Sequence, residues 1–522
     1  IEEPTNYSPA DLTAIKAVAL NEPSLVHRLV SDDGKTAGVM VTLHFPEGDN
    51  EDYSPEVAKF SADLVEKFAR AYPDLVFART GMTLFEYAMF EVMQKDMAKL
   101  VPVMLSLIAV IIFTTLRSIS ATVITLVMLI MAAVSSAGVA AWIGIVFTSP
   151  VTMSPLMVLT LALANSMHIL VAALQSMQQG KDKQAAITES LAVKFKPVLV
   201  TTITTIIGFS SLNFSEAPPL GAMGTVAACG ILIAWMFSMT FLPAAWLVMP
   251  FGGQALAKDR QWYLEKTADF VIGNSKACIW FIGLSALILI ALIPTNEFGD
   301  TFNEYFPKSS QLRKDTDFTT ANLTGPYTLE FSLGSGEVDG ISSPDYLLEL
   351  EKFTAWLNEQ PEVMHVYVFS DVQKRLNRTM HGDDPAWYRV PDNRLLAAQY
   401  LLLYEMSLPF GLDLRSQLSV DRSATKIVII LNEISSVAMR DFKIQSEAWL
   451  RNNAPESMHA EGGSAAVMFA FLSLRLISGM LIGTGLAFVL ISAVLMIALQ
   501  DIRLGLISLI PNMFPAAVTL GI

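Results

Sequence analysis

Leu100-Val101-Pro102-Val103-Met104-Leu105-Ser106-Leu107-Ile108-Ala109-Val110-Ile111-Ile112-Phe113-Thr114-Thr115-Leu116 runs without a charge, breaks at Arg117-Ser118, and gives way at Ile119 to a second apolar run reaching Phe147. A helix needs about 20 mostly apolar residues to cross a hydrocarbon core roughly 30 Å thick, and it can do so because its backbone bonds close within the segment. Two such runs joined by a polar step read as a helical hairpin through a membrane. Working outward, six further runs meet the same test: Val151 to Leu174, Pro197 to Phe214, Leu220 to Met249, Ala277 to Pro294, Leu476 to Leu499, and Leu504 to the end. The sequence therefore predicts an α-helical polytopic membrane bundle.

Composition agrees. The 522 residues are 52% hydrophobic and only 16% charged, too apolar for a soluble protein of this size. A net charge of -14 without a basic tract excludes nucleic acid as a partner. Cys229 and Cys278 fall inside apolar runs, where they read as small buried hydrophobes rather than a disulfide or metal framework. No Ser/His/Asp set, Gly-rich phosphate loop or metal-ligand cluster stands at usable spacing, so neither an enzyme nor a cofactor is expected.

Lys and Arg in short loops mark the cytoplasmic side. Lys181, Lys183, Lys194 and Lys196 follow the third run, and Lys258, Arg260, Lys266 and Lys276 follow the fifth, whereas the turns at Ser149-Pro150 and Glu216-Ala217-Pro218-Pro219 carry no basic residue. That places both large polar regions outside the cytoplasm. The expected organisation is an extracytoplasmic domain over 1–97, five spans over 98–250, a cytoplasmic linker over 251–276, one span over 277–295, a second extracytoplasmic domain over 296–474, and two spans over 475–522. In the linker, Trp262 and Tyr263 suggest an amphipathic helix on the membrane surface.

The two polar regions read as copies, which makes the fold a repeat. Ser31-Asp32-Asp33-Gly34-Lys35-Thr36-Ala37-Gly38-Val39-Met40-Val41-Thr42-Leu43 is mirrored by Ser419-Val420-Asp421-Arg422-Ser423-Ala424-Thr425-Lys426-Ile427-Val428-Ile429-Ile430-Leu431, each a turn entering a strand. A helical stretch follows in both (Val57 to Ala71; Met439 to Asn452). Pro73 precedes Gly81 as Pro455 precedes Gly463, and the spans that follow turn at Leu116-Arg117-Ser118 and Asp501-Ile502-Arg503. Each copy is thus expected to be a strand-helix-strand unit ahead of a bundle. Ile1-Glu2-Glu3-Pro4 carries no targeting signal and Val518 to Ile522 stops inside an apolar run, so truncation at both ends is expected, with one span and part of a domain ahead of Ile1 and three spans beyond Ile522.

Lys196-Pro197-Val198-Leu199-Val200-Thr201-Thr202-Ile203-Thr204-Thr205-Ile206-Ile207-Gly208-Phe209, continuing through Phe214-Ser215-Glu216-Ala217-Pro218-Pro219 to Gly221 and Gly224, resembles a signature of the RND superfamily, in its MMPL or hydrophobe/amphiphile-efflux branch. Arg503 to Pro515 and the stretch from Asn303-Glu304-Tyr305-Phe306-Pro307 to Tyr400-Leu401-Leu402-Leu403-Tyr404-Glu405 are similar to the same branch. The resemblance implies a pseudo-symmetric twelve-span bundle with two porter-like domains in a bacterial inner membrane, exporting lipids or other amphiphiles with the proton gradient. Membrane lipids, an amphiphilic substrate and protons are the implied partners, with room for a homo-oligomer or a periplasmic partner. An uncoupled lipid-binding or sensing protein, or an accessory to protein translocation, are the competing readings.

The resemblance also implies ionisable side chains on the third visible run, which reads Leu161-Ala162-Leu163-Ala164-Asn165-Ser166-Met167-His168-Ile169-Leu170. Asn165 stands where the branch usually has Asp, and an amide cannot carry a proton. His168 lies one turn on, near the same face, and is the best candidate proton carrier in the visible spans. Its ring is expected to be held by Asn165; the alternative is a neutral, structural His. Asn165 and Ser166 suit helix packing. Thr201, Thr202, Thr204 and Thr205 form a polar patch on the next run, either bonded to their own backbone or lining a water path. Gly479 and Gly483 make a GxxxG pattern that permits close helix contact. The 25 methionines suit a pliable core or an apolar substrate path.

Overall fold

A computed structural model describes residues 7–22, 25–46, 53–249, 259–295, 302–408 and 414–521. The chain divides into two compact units, one of residues 1–89 and 299–473 and the other of 90–298 and 474–522.

In the first unit, β1 (Tyr327–Gly334), β2 (Val363–Tyr367) and β3 (Ala424–Leu431) form an antiparallel sheet in the order β1-β3-β2. Alternation sets one face: Tyr327, Leu329, Phe331 and Leu333 of β1 are buried, with Ile427, Ile429 and Leu431 of β3. Onto the unit's core pack helices Pro344–Asn358 and Ser436–Asn453 through Leu347, Leu350, Phe353, Leu357, Met439, Phe442 and Leu450. Burying such a side chain stabilises by about 1.5–3 kcal/mol. Ser435 starts the second helix by accepting from the Ala438 N–H at 3.2 Å. Deep in this core the Tyr346 hydroxyl donates to the Leu333 carbonyl at 2.8 Å and shares a 2.7 Å bond with Thr425 Oγ1, and burial pushes its pKa up to about 12.

The repeat is present down to single hydrogen bonds. Ser31 Oγ accepts from the Thr36 N–H at 3.0 Å, and Ser419 Oγ accepts from the Ala424 N–H at 2.9 Å. Gly34 (φ 64°) and Arg422 (φ 51°) take the left-handed corner of the turn. Isolated bridges Val30↔Ala37 and Leu418↔Thr425 close both turns. Helices Ser54–Ala71 and Ser436–Asn453 are each 18 residues long, helices Met82–Leu116 and Ala465–Leu499 each 35, and the latter pair ends at left-handed Arg117 and Gln500.

The copies part company at the strand. Residues 38–46 form no strand, and Val39 and Val41 are 90% and 71% exposed where Ile427 and Ile429 are buried. A strand exists only when paired; β3 lies between β1 and β2, and among the described residues no strand runs alongside 38–46. The same holds for the helix face: Phe60, Leu64 and Phe68 are exposed where Phe442, Ser446 and Leu450 are buried. Gly463 closes the second copy as a single bridge to Glu330 rather than a strand.

Among the described residues, the helices long and apolar enough to cross a membrane are Met82–Leu116, Ile119–Trp142, Ser149–Gln178, Lys183–Phe214, Pro218–Val248, Ser275–Thr295, Ala465–Leu499 and Ile502–Leu520, here spans one to eight. Span four begins 14 residues before Pro197, so the basic stretch read as a loop is helical from Lys183. Pro197 is accommodated inside the helix, with Thr201 Oγ1 donating to its carbonyl at 3.0 Å. Helix Asp259–Gly273 occupies part of the linker; residues 250–258 and the Trp262 and Tyr263 side chains lie outside the described residues.

Spans two to five form the core of the second unit around Met128, Leu129, Ala132, Val158, Ala162, Ile231 and Ala234. Gly230 makes the close approach possible: a Cβ there would stand 2.4 Å from Val158 Cγ2 and 2.5 Å from Ser136 Oγ. Gly479 and Gly483 of span seven likewise lie against the end of span four and the turn after it, where added Cβ atoms would meet Ser215 Cα at 2.9 Å and the Ser211 carbonyl at 2.6 Å.

Candidate functional site

Span three starts at the Ser149-Pro150 turn and presents two unlike faces. Val158, Ala162, Asn165, Ser166, Ile169 and Ala173 are buried, whereas Thr160, Ala164, His168 and Gln175 are exposed, the roughly 3.6-residue periodicity of a helix with one covered side. Asn165 and His168 therefore do not share a surface, and no hydrogen bond joins them; the expected tether of the imidazole by the amide is absent. Asn165 is 6% exposed with no hydrogen-bond partner among the described residues. His168 stands on the open side of the helix.

Ser166 turns inward. Its hydroxyl donates to the Ala162 carbonyl at 2.7 Å and lies 3.7 Å from Met128 Sδ, the same sulfur that Ser238 of span five approaches at 3.7 Å. One fully buried thioether thus meets a hydroxyl from each of two neighbouring helices. The four threonines of span four all bond back to their own helix: Thr201 to Pro197, Thr202 to Val198, and Thr204 and Thr205 both to the Thr201 carbonyl, at 2.7–3.0 Å. These hydroxyls can still accept from water, but their protons are spoken for.

Three further serines stitch the bundle and were not singled out in the sequence. Ser136 donates to the Val226 carbonyl at 3.1 Å, Ser154 to Met223 at 3.1 Å, and Ser190 to Ile169 at 2.6 Å, each bridging two spans. Lys183 Nζ donates to the carbonyls of Leu247 (3.1 Å) and Met249 (2.6 Å), satisfying oxygens that the end of span five leaves open. Serines in apolar helices are too common for sequence alone to say which ones reach across. The arrangement can hold helices in register with neutral hydrogen bonds while leaving one titratable ring, His168, on an open face.

A family model described as the MMPL family matches residues 6–271, just over half of the chain. The chain belongs to the MMPL family. Consistent with that membership, it is similar in fold to the hedgehog release protein Disp of the water bear Hypsibius dujardini, with a TM-score of 0.53 and 16% identity over 84% of this chain and 58% of that one. SecDF, a translocon-associated membrane protein of Thermus thermophilus, aligns at a TM-score of 0.41 and 12% identity, covering 80% of this chain and 45% of SecDF. This MMPL-family chain thus spans little more than half the length of the first of these structures. Among curated proteins no match to it was found.

Proposed function

We propose that this MMPL-family chain carries the transport machinery of a secondary exporter of lipids or other amphiphilic molecules in a bacterial inner membrane, driven by protons. The observation that carries the reading is the placement of His168. An ionisable side chain in the middle of a span is costly against lipid, so the face bearing Thr160, Ala164 and His168 is expected to meet protein or water when the molecule works. An imidazole side chain is suited to carrying a proton there. The repeated unit of turn, helix and long span supports the two-fold architecture such a transporter needs, and the fold likeness to Disp is in keeping with it.

Asn165 favours a second reading, an uncoupled lipid-binding or sensing protein of the same fold, because an amide side chain does not take up and release a proton in the physiological range. Reconstitution into proteoliposomes loaded with a fluorescent amphiphile separates the two. Under an imposed proton gradient, His168→Ala is expected to lower export by about ten-fold or more, within the range of a lost proton-transfer group. The dependence of export on the imposed proton gradient should weaken in the same variant. Export by His168→Ala at the parent rate and with the parent dependence on the gradient would remove His168 from coupling and leave the uncoupled reading standing.

A further inference from the structure

Spans six and eight of the second unit come together near the Thr295 end of span six, where a Cβ on Gly521 would overlap the Leu289 carbonyl. At its other end span eight is held by span seven instead: a Cβ on Gly505 would overlap Met496. The change of neighbour has a local cause. Helix Ile502–Ile507 stops at Ser508 and helix Leu509–Leu520 starts afresh, because Pro511 cannot donate to the Ile507 carbonyl and its ring crowds that turn. Below the Gly521 contact span eight therefore leaves a groove beside span six. Its volume is about 460 Å³, and its lining includes Val271, Ser275, Cys278, Ile282, Gly283 and Phe514. A Cβ on Gly283 would meet nothing within 4 Å, so the groove runs down to the backbone there.

We propose that this groove holds one acyl chain of a membrane lipid, with Lys276 at its mouth drawing an anionic headgroup. Both helices are apolar enough to cross a membrane, and Ile279 and Ile282 on the groove side of span six are 71% and 56% exposed, so this face meets hydrocarbon. Water does not settle in such a gap, because it needs two or more polar partners and the lining offers little beyond the Ser275 hydroxyl and the Cys278 thiol. The helices cannot close the gap either, since span eight is anchored at Gly505 and at Gly521. Left empty, the walls would forfeit their dispersion contacts, and a flexible hydrocarbon chain restores them. Lipid tails are as apolar as leucine, so the lining by itself does not choose among lipids. The choice falls to Lys276, exposed beside Ser275 at the start of span six, where a cation attracts an anionic headgroup.

The site uses neither His168 nor a proton gradient, so its test is separate from the export assay. The whole protein in phosphatidylcholine nanodiscs is given a trace of phosphatidylglycerol carrying a diazirine on its acyl chain, irradiated, and read by peptide mass spectrometry. Labelling of Cys278, Ile282 and Phe514 is expected to exceed that of Val123 and Val127, exposed residues near the start of span two, and to fall when unlabelled phosphatidylglycerol is added in excess. The same diazirine on phosphatidylcholine should label the groove about five-fold less, the preference of about 1 kcal/mol that one lysine at a membrane surface supplies, and Lys276→Gln should remove that difference. In Gly283→Phe, whose ring fills the groove, labelling of Cys278, Ile282 and Phe514 should drop about ten-fold, equivalent to about 1.4 kcal/mol, with Val123 and Val127 unchanged. Gly138→Phe, at an equally open glycine of span two, should leave the groove labelled as in the parent. If Gly283→Phe lowers the thermal unfolding midpoint, Cys278→Phe takes its place. Groove labelling no stronger than that of span two in the parent overturns the site, as does full labelling in a groove-filling variant that unfolds at the parent's midpoint. A preference for phosphatidylglycerol that survives in Lys276→Gln overturns the headgroup assignment.

Discussion

Ser31 and Ser419 occupy the same place in two turns that lie far apart in sequence: each side-chain oxygen accepts a backbone N–H five residues ahead, from Thr36 at 3.0 Å and from Ala424 at 2.9 Å. Each turn also holds an aspartate. Asp33 accepts from the Lys35 N–H at 3.0 Å and from the Ser31 hydroxyl at 2.8 Å, and Asp421 accepts from the Ser423 hydroxyl at 2.7 Å. The backbone bond, then the hydroxyl, lower the pKa of Asp33 to about 2, and the Ser423 and Ser419 hydroxyls lower that of Asp421.

A depressed carboxylate stabilises its turn above the ordinary value of 3.8, and that contribution is lost as pH falls through the folded value. Titration of ¹³C-labelled Asp33 is expected to give a midpoint near 2 in the parent and a higher one, toward 3.8, in Ser31→Ala. An unchanged midpoint in Ser31→Ala would show that the hydroxyl does not hold the carboxylate.

At Gly230 span five lies close against spans two and three. A methyl there would overlap Val158 and Ser136, and Ser136 is itself bonded to the Val226 carbonyl, so the neighbours have little room to yield. Gly230→Ala should destabilise the second unit by about 1–3 kcal/mol, the usual cost of overpacking. Thermal unfolding in detergent reads this as a lowered midpoint. Gly138, whose added Cβ would meet nothing within 4 Å, serves as the control and should tolerate alanine.

Tyr346 joins a helix to two strands through one hydroxyl. Tyr346→Phe leaves the Thr425 hydroxyl in a site only 1% exposed without that partner, at an expected cost of about 1–3 kcal/mol. Removing both polar groups is milder than removing one, so Tyr346→Phe with Thr425→Val should recover part of the loss. Denaturant unfolding of the four members of this cycle measures the coupling; strictly additive losses would mean the bond contributes nothing.

The basic residues predict which side of the membrane each segment faces. In a background with Cys229 and Cys278 replaced by alanine, Glu359→Cys should react with an impermeant maleimide added to intact cells. Gln179→Cys should react only after permeabilisation. Labelling of position 179 from outside would reverse the orientation.

The eight spans were legible in the sequence because a bilayer imposes a local rule: each segment satisfies its own backbone and must be apolar over a fixed length, whatever its neighbours do. The repeat was legible for a related reason, since turns such as Ser31–Thr36 and Ser419–Ala424 and helix ends such as Arg117 and Gln500 are set by adjacent residues. The tertiary structure decided what depends on distant partners. Val39–Leu43 and Ile427–Leu431 carry similar strand patterns, yet only the second is a strand, because pairing requires β1 and β2 alongside it. Asn165 and His168 lie one turn apart in the same helix, but packing of that helix against its neighbours buries the first and leaves the second open. His27 and His365 are remote in sequence, and their rings stand 6.2 Å apart only because the copies fold against each other. A contact between distant residues is fixed by loop closure and shared core, terms that no single stretch of sequence contains.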